Sequence, residues 1–215
     1  MGYRNDLETA TSKTSMPNHP RHHGIKMQAH HLISKKGVSL AGLTDELKQL
    51  GYDINHIENL TFIPCTLQGA CHLLTQLHRG NHTATEDIES DPDGDNDDDK
   101  HHPKGYHDKI KALIAKKFPS GFCELSKNAL QKEMNRISVL VVGKINKHLY
   151  SLTDIHKNFK LNKNGCCGVD SIPDAKKNSS EVCPVERNHM GRQGLTQRTE
   201  NISMEQGKYI LKVKQ

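Results

Sequence analysis

The sequence predicts a small α+β domain, and three observations predict it. Residues 25–34 and Asn59-Leu-Thr-Phe-Ile-Pro64 are short apolar runs of strand character. Between and after them, apolar residues recur at helical spacing. The 215 residues are only 33% hydrophobic, with 4% aromatics and no Trp, so the compact nucleus should be smaller than the chain, about 120 residues.

The elements follow in order. Residues 1–24 are polar and punctuated by Pro17 and Pro20, which predicts a flexible lead. Ile25-Lys-Met-Gln-Ala, ending in His-Leu-Ile-Ser34, predicts a first strand. Leu43, Leu47 and Leu50 share a helical face that Gly51 stops. Residues 59–64 predict the second strand, closed by Pro64, and Leu67 to Leu77 a helix. Ile110, Leu113 and Ile114 stripe a helix that Pro119 ends. Ser126 is a good cap for a long helix carrying Leu130, Met134, Ile137, Val141 and Ile145, out to about Tyr150. Beyond it the composition shifts to Asn, Ser, Lys, Gly and Cys. Residues 151–215 therefore read as a low-complexity extension, largely irregular, with one late strand over Tyr209–Val213.

Charge is unevenly placed. Residues 86–100 hold nine acids and one lysine, a local charge of −8, so within a total of +5 the rest of the chain carries +13. A basic body of that kind suits a polyanion such as nucleic acid, and equally serves plain solubility. The acidic run 91–99, inside an insertion over 83–101, lacks the glycine and glutamate that a calcium loop needs, and reads as a solvated loop. No stretch approaches a membrane span, and the N-terminus has no apolar signal region. The expected location is the cytoplasm, or a target cell's cytoplasm reached by a non-classical route.

The six cysteines form no Cys-x-x-Cys pair. Buried idle thiols are the plain reading, while Cys166, Cys167, Cys183 and His189 are candidates for a small zinc site.

The histidines carry the chemistry. His30 and His31 are adjacent at the end of the first strand run; His78-Arg-Gly-Asn-His82 and His101-His-Pro-Lys-Gly-Tyr-His107 follow. Phosphodiester hydrolysis needs a base for water, a cation for the developing charge and a group that orients the base. Imidazole serves as the base, a divalent metal as the cation and a side-chain amide as the orienting group. At a strand end two neighbours can serve one site in different roles, so His30 is the candidate metal ligand, His31 the general base and Asn59 its orienting partner.

Three blocks in order, Gln28-Ala-His-His-Leu-Ile, Glu58-Asn-Leu-Thr-Phe-Ile-Pro and Leu77-His-Arg-Gly-Asn-His, resemble the AHH family of HNH/endonuclease VII-type nucleases over about residues 25–117. The resemblance implies a ββα-metal core within residues 25–150, with added helices. It also implies a bacterial toxin domain that cuts DNA, with His30 binding metal, His31 activating water and Asn59 supplying the amide. The late block implies ligation by His78 and His82. In this chain, however, an acidic insertion follows His82, and the His-Pro pair of the family falls at His102-Pro103. The late ligand is therefore either His82 or His102. Arg79 is a candidate contact to the scissile phosphate, and Lys35, Lys36, Lys104, Lys109 and Lys111 are candidates for backbone phosphates. One divalent ion is expected, with Mg, Zn, Ni and Mn all open. The expected partners are DNA, with RNA as the alternative, and an acidic immunity protein if the chain is a toxin. Competing readings are an RNase, a phage or mobile-element endonuclease, and a non-catalytic metal-binding module that holds nucleic acid.

Overall fold

The computed structural model describes residues 2–79, 105–119, 121–122, 125–191 and 200–215. The insertion over 83–101, with His82, and also His102 and Lys104, lie outside them.

The centre is an antiparallel pair, β1 (Met27–His31) and β2 (Leu60–Pro64). Its register sets His31 opposite Leu60, His30 opposite Thr61, Ala29 opposite Phe62 and Gln28 opposite Ile63. Opposed residues share a face of the ribbon. Gln28 and His30 therefore lie on one face, and Ala29 and His31 on the other. Every residue of β2 is buried, because helices cover one side and the chain's two ends the other.

Short helices bracket the pair. α2 (Lys35–Leu40) begins at Ser34, whose Oγ accepts from Gly37 N–H at 3.1 Å. α3 (Thr44–Gln49) follows, and α4 (Leu67–His72) begins at Thr66, whose Oγ1 accepts from Gly69 N–H. Such caps satisfy donors that a helix start leaves orphaned. α4 is shorter than the helix expected over residues 67–77, since Leu74 takes a φ of 48° and turns the chain.

α5 (Tyr106–Lys117) packs across α2, and α6 (Lys127–Asn146) completes the main core. Leu130, Met134, Ile137, Val141 and Ile145 of α6 bury against Ile110 and Ile114 of α5. Gly37 makes the α2–α5 approach possible: a Cβ there would come within 2.7 Å of the Ile110 side chain.

The N-terminal residues are not the flexible lead expected. They form α1 (Tyr3–Ala10) and a 3-10 turn (Pro20–His23). Leu7 is fully buried, and Arg21 lies over the Phe62 ring at 5.2 Å while donating to the Glu8 carbonyl. Scattered polar residues hid a segment whose few apolar contacts fall on β2.

The C-terminal extension also differs from expectation. Ile155, Phe159, Cys166, Ile172 and Cys183 pack with Leu67, Cys71 and Leu77 in a second core, and α7 (Ile172–Lys177) lies within it. Tyr209–Val213 is not a strand. Tyr209 N–H donates to the Leu73 carbonyl, and Leu211 exchanges two bonds with the Asn146 side chain. Only at the end does the backbone reach β2, where Lys214 N–H donates to the Leu60 carbonyl and Phe62 N–H to that of Gln215.

Candidate active site

His30 is buried on the face of β1 that meets α5. Its Nε2 lies 2.9 Å from the Tyr106 hydroxyl, which itself donates to the Leu32 carbonyl at 2.8 Å. A phenol has one proton, and it is committed to Leu32. Nε2–H of His30 is therefore the donor to Tyr106, and Nδ1 is the nitrogen with the lone pair.

The same logic fixes His78. Its Nδ1 is 2.9 Å from Gln28 Oε1, an acceptor only, so Nδ1–H donates and Nε2 carries the lone pair. The His30 and His78 rings meet edge to face with centroids 4.7 Å apart. The chain reaches this point because β2 and α4 turn back, and His78 N–H donates to the Pro64 carbonyl at 2.9 Å. Two buried imidazoles with their other nitrogens bound to fixed partners are suited to a divalent metal. Two imidazoles alone would leave such an ion short of protein ligands; the later candidates, His82 and His102, are among the residues not described.

His31 ends β1 on the opposite face. Its Nε2–H donates to Asn55 Oδ1 at 3.0 Å, and its ring lies 4.5 Å from that of Tyr3. Burial holds its pKa below 6.5, with the Asn55 bond and the Asp53 charge acting the other way. The ring is therefore mostly neutral at pH 7, the form a general base requires.

Asn59 does not orient that ring. Its Oδ1 accepts from Ile33 N–H at 2.7 Å and from the Ser138 hydroxyl at 3.1 Å; its Nδ2 donates to the carbonyls of Ile33 and Ile54, each at 2.9 Å. This buried amide clips the chain two residues past His31 and ties it to α6. Its influence on His31 runs through the backbone, and the amide on the ring belongs to Asn55.

The remaining candidates are dispersed. Lys35 and Lys36 are exposed at the start of α2, and Lys111 is exposed on α5. Lys109 is engaged: its ammonium donates to the Leu149 carbonyl and lies 5.6 Å from the Tyr150 ring centre. Arg79 sits near Cys65, where burial raises the thiol pKa and the arginine's charge opposes the rise. His107 meets Ser34 Oγ through Nδ1 at 2.8 Å, joining α5 to the α2 cap.

Sequence reasoning missed Tyr106, Gln28 and Asn55. The His-Pro-Lys-Gly-Tyr run marks Tyr106 as part of the block, but no spacing shows that it meets β1. Asn55 lies in a loop, placed by its own N–H on Asp53 Oδ1.

A two-stranded antiparallel ribbon ending in paired histidines, followed by helices that return to it, defines an α+β nuclease core of the ββα-metal kind. The chain belongs to the AHH family, a nuclease family of the HNH/ENDO VII superfamily with conserved AHH, whose model matches residues 11–139, more than half its length. The triplet is Ala29-His30-His31. Comparison with curated proteins and with solved structures gives no match. Nucleases of this superfamily use divalent metals. Among the described residues no helix is long and apolar enough to cross a membrane.

Proposed function

We propose that the chain is a metal-dependent endonuclease that hydrolyses phosphodiester bonds of DNA, and that it serves as a bacterial toxin. The carrying observation is the edge-to-face contact of the buried His30 and His78 rings, each with one ring nitrogen held by a hydrogen-bond partner, Tyr106 for His30 and the half-buried Gln28 for His78. A divalent ion bound there would neutralise charge on the phosphate and the leaving oxygen.

The chain's own residues do the rest. His30 and His78 hold the ion with one later histidine, His82 or His102. His31 takes a proton from water at Nδ1 while Asn55 holds Nε2–H. Arg79, Lys35, Lys36 and Lys111 bind phosphate oxygens, and Lys104 extends that set. The +13 body draws in the polyanion. The same charge suits an acidic immunity protein, because opposite charge speeds encounter and suppresses wrong partners.

Plasmid nicking beside an RNA substrate, with and without chelator, tests the chemistry. Chelator-sensitive DNA cleavage is expected. Cleavage of RNA alone would replace the substrate, and binding without cleavage would leave a non-catalytic module. Expression in a bacterial cytoplasm tests the role: the wild-type chain should degrade DNA and stop growth, and His31→Ala should be tolerated. Harmless accumulation of active enzyme would sink the toxin reading.

A further inference from the structure

We infer that Cys71, Cys166, Cys183 and His189 bind one zinc ion in a closed site that fastens the C-terminal extension to the nuclease core. The site is separate from the metal assigned to His30 and His78 and does not depend on that assignment.

The four residues come from three places in the chain. Cys71 is on α4, Cys166 lies in the turn Gly165-Cys-Cys-Gly168, and Cys183 and His189 lie on the segment after α7. Their ligand atoms all fall within 4.8 Å of one another. Cys166 Sγ is 3.5 Å from Cys183 Sγ, and the two sulfurs are 3.5 and 3.4 Å from His189 Nε2. Four ligands at zinc bond lengths around one centre stand about 3.3–3.8 Å apart. Cys167, the expected fourth ligand, instead turns its sulfur toward the Gly165 carbonyl and the Asn158 amide, and Cys71 takes its place.

The donor set selects the ion. Three thiolates and an imidazole suit zinc and do not suit magnesium. All four residues are buried, which leaves no open position for water and marks the site as structural.

The surroundings are built to match. Cys166 N–H donates to Cys71 Sγ at 3.3 Å. That approach requires Gly165, at φ 71°, since a Cβ there would lie 2.5 Å from the same sulfur. His189 N–H donates to His72 Nδ1 at 3.1 Å, and His72 Nε2–H donates to the Met204 carbonyl, so the outer partners span α4 and the chain's last segment. Zinc with three thiolates carries a net negative charge. Arg187 is buried beside the cluster, and its guanidinium bonds go to the carbonyls of Asn158, Phe159, Lys160 and Lys163. Its Cγ lies 3.4 Å from where a Cβ on Gly165 would stand, which sets a buried cationic side chain next to the turn that carries Cys166.

The consequence reaches the active site by position. Cys71 sits on α4, and the same segment continues to His78. Zinc would brace the helix that delivers that histidine.

The test is zinc content of the full chain carrying His31→Ala, measured by mass spectrometry of the element after dialysis. One equivalent is expected from this site, beyond any held at His30 and His78. It should persist when His30→Ala is added, persist in Cys167→Ser, and be lost in Cys71→Ser and Cys166→Ser. Since a serine variant can fail to fold, His189→Cys is the companion: it keeps four ligands and should retain zinc. Cobalt in place of zinc should give the visible bands of a tetrahedral thiolate centre. A folded chain with no metal, a Cys166–Cys183 disulfide, or zinc lost with His30→Ala and kept in Cys71→Ser would each overturn the inference. Absence of nuclease activity in the wild-type chain would not bear on it, so the two readings fail separately.

Discussion

The ring of His30 donates through Nε2–H to the hydroxyl of Tyr106, 76 residues later in the chain, at 2.9 Å. One phenol proton thereby decides which nitrogen of His30 is offered to a metal, because that proton is already on Leu32. Tyr106→Phe should lower metal affinity about 10–100-fold, the range for loss of an outer partner. It should also cost about 1–3 kcal/mol of stability, since a buried N–H and a buried carbonyl lose their partners. Calorimetric titration of metal and a denaturant midpoint check both. Unchanged affinity would mean that His30 does not ligate through Nδ1.

His31→Ala should reduce cleavage roughly 10²–10⁴-fold with metal binding preserved, as expected for loss of a general base. In the wild type, log kcat/KM should rise with pH and level off above a midpoint below 6.5, because burial lowers the His31 pKa and only the neutral ring accepts a proton. A midpoint above 7 would exclude His31 as the group that titrates.

Asn55 and Asn59 should separate catalysis from folding. Asn55 is exposed, so Asn55→Ala should lower kcat by freeing the His31 ring and leave the melting temperature nearly unchanged. Asn59→Ala should cost several times about 1 kcal/mol, because four hydrogen bonds end on that buried amide. Equal loss of stability in both variants would refute this division.

Stability should fall as pH drops from 6.5 toward 4. Burial, helped by the charges of His22 and Arg21, lowers the His19 pKa to about 4; burial also lowers that of His148 to about 4. In that window the unfolded chain takes up protons that the folded chain refuses, so folding weakens with acid. Urea midpoints measured from pH 7 to pH 4 should decline, and His19→Gln should flatten the curve. A pH-independent midpoint would contradict the assignment of neutral imidazoles at the buried His19 and the half-buried His148.

Deleting residues 86–100 removes a charge of −8 and should tighten DNA binding while steepening its dependence on salt. Weaker metal binding in the deletion would instead place acidic ligands from that run in the centre.

How much of this was legible depended on the range of the interaction. The two strands, the α5 and α6 stripes and the Ser126 cap are local patterns, since periodicity and capping act over a few residues. The Ala29-His30-His31 triplet and the His78 block were equally readable, because residue type and order carry the chemistry. The partners of those rings were not. Tyr106, Gln28 and Asn55 meet them only after β1 has paired with β2 and α5 has crossed α2 through Gly37. Burial was also hidden. The polar lead and the Cys-rich extension look unable to form a core alone, yet each lays a few apolar residues on a surface made by the rest of the chain. The sequence by itself determined the kind of chemistry and the elements that carry it. Tertiary structure alone decided which ring nitrogen of His30 keeps its lone pair, which amide holds the His31 ring and that Cys71 rather than Cys167 joins the cysteine cluster, because a side chain's partner across space is set by packing and has no signature in spacing along the chain.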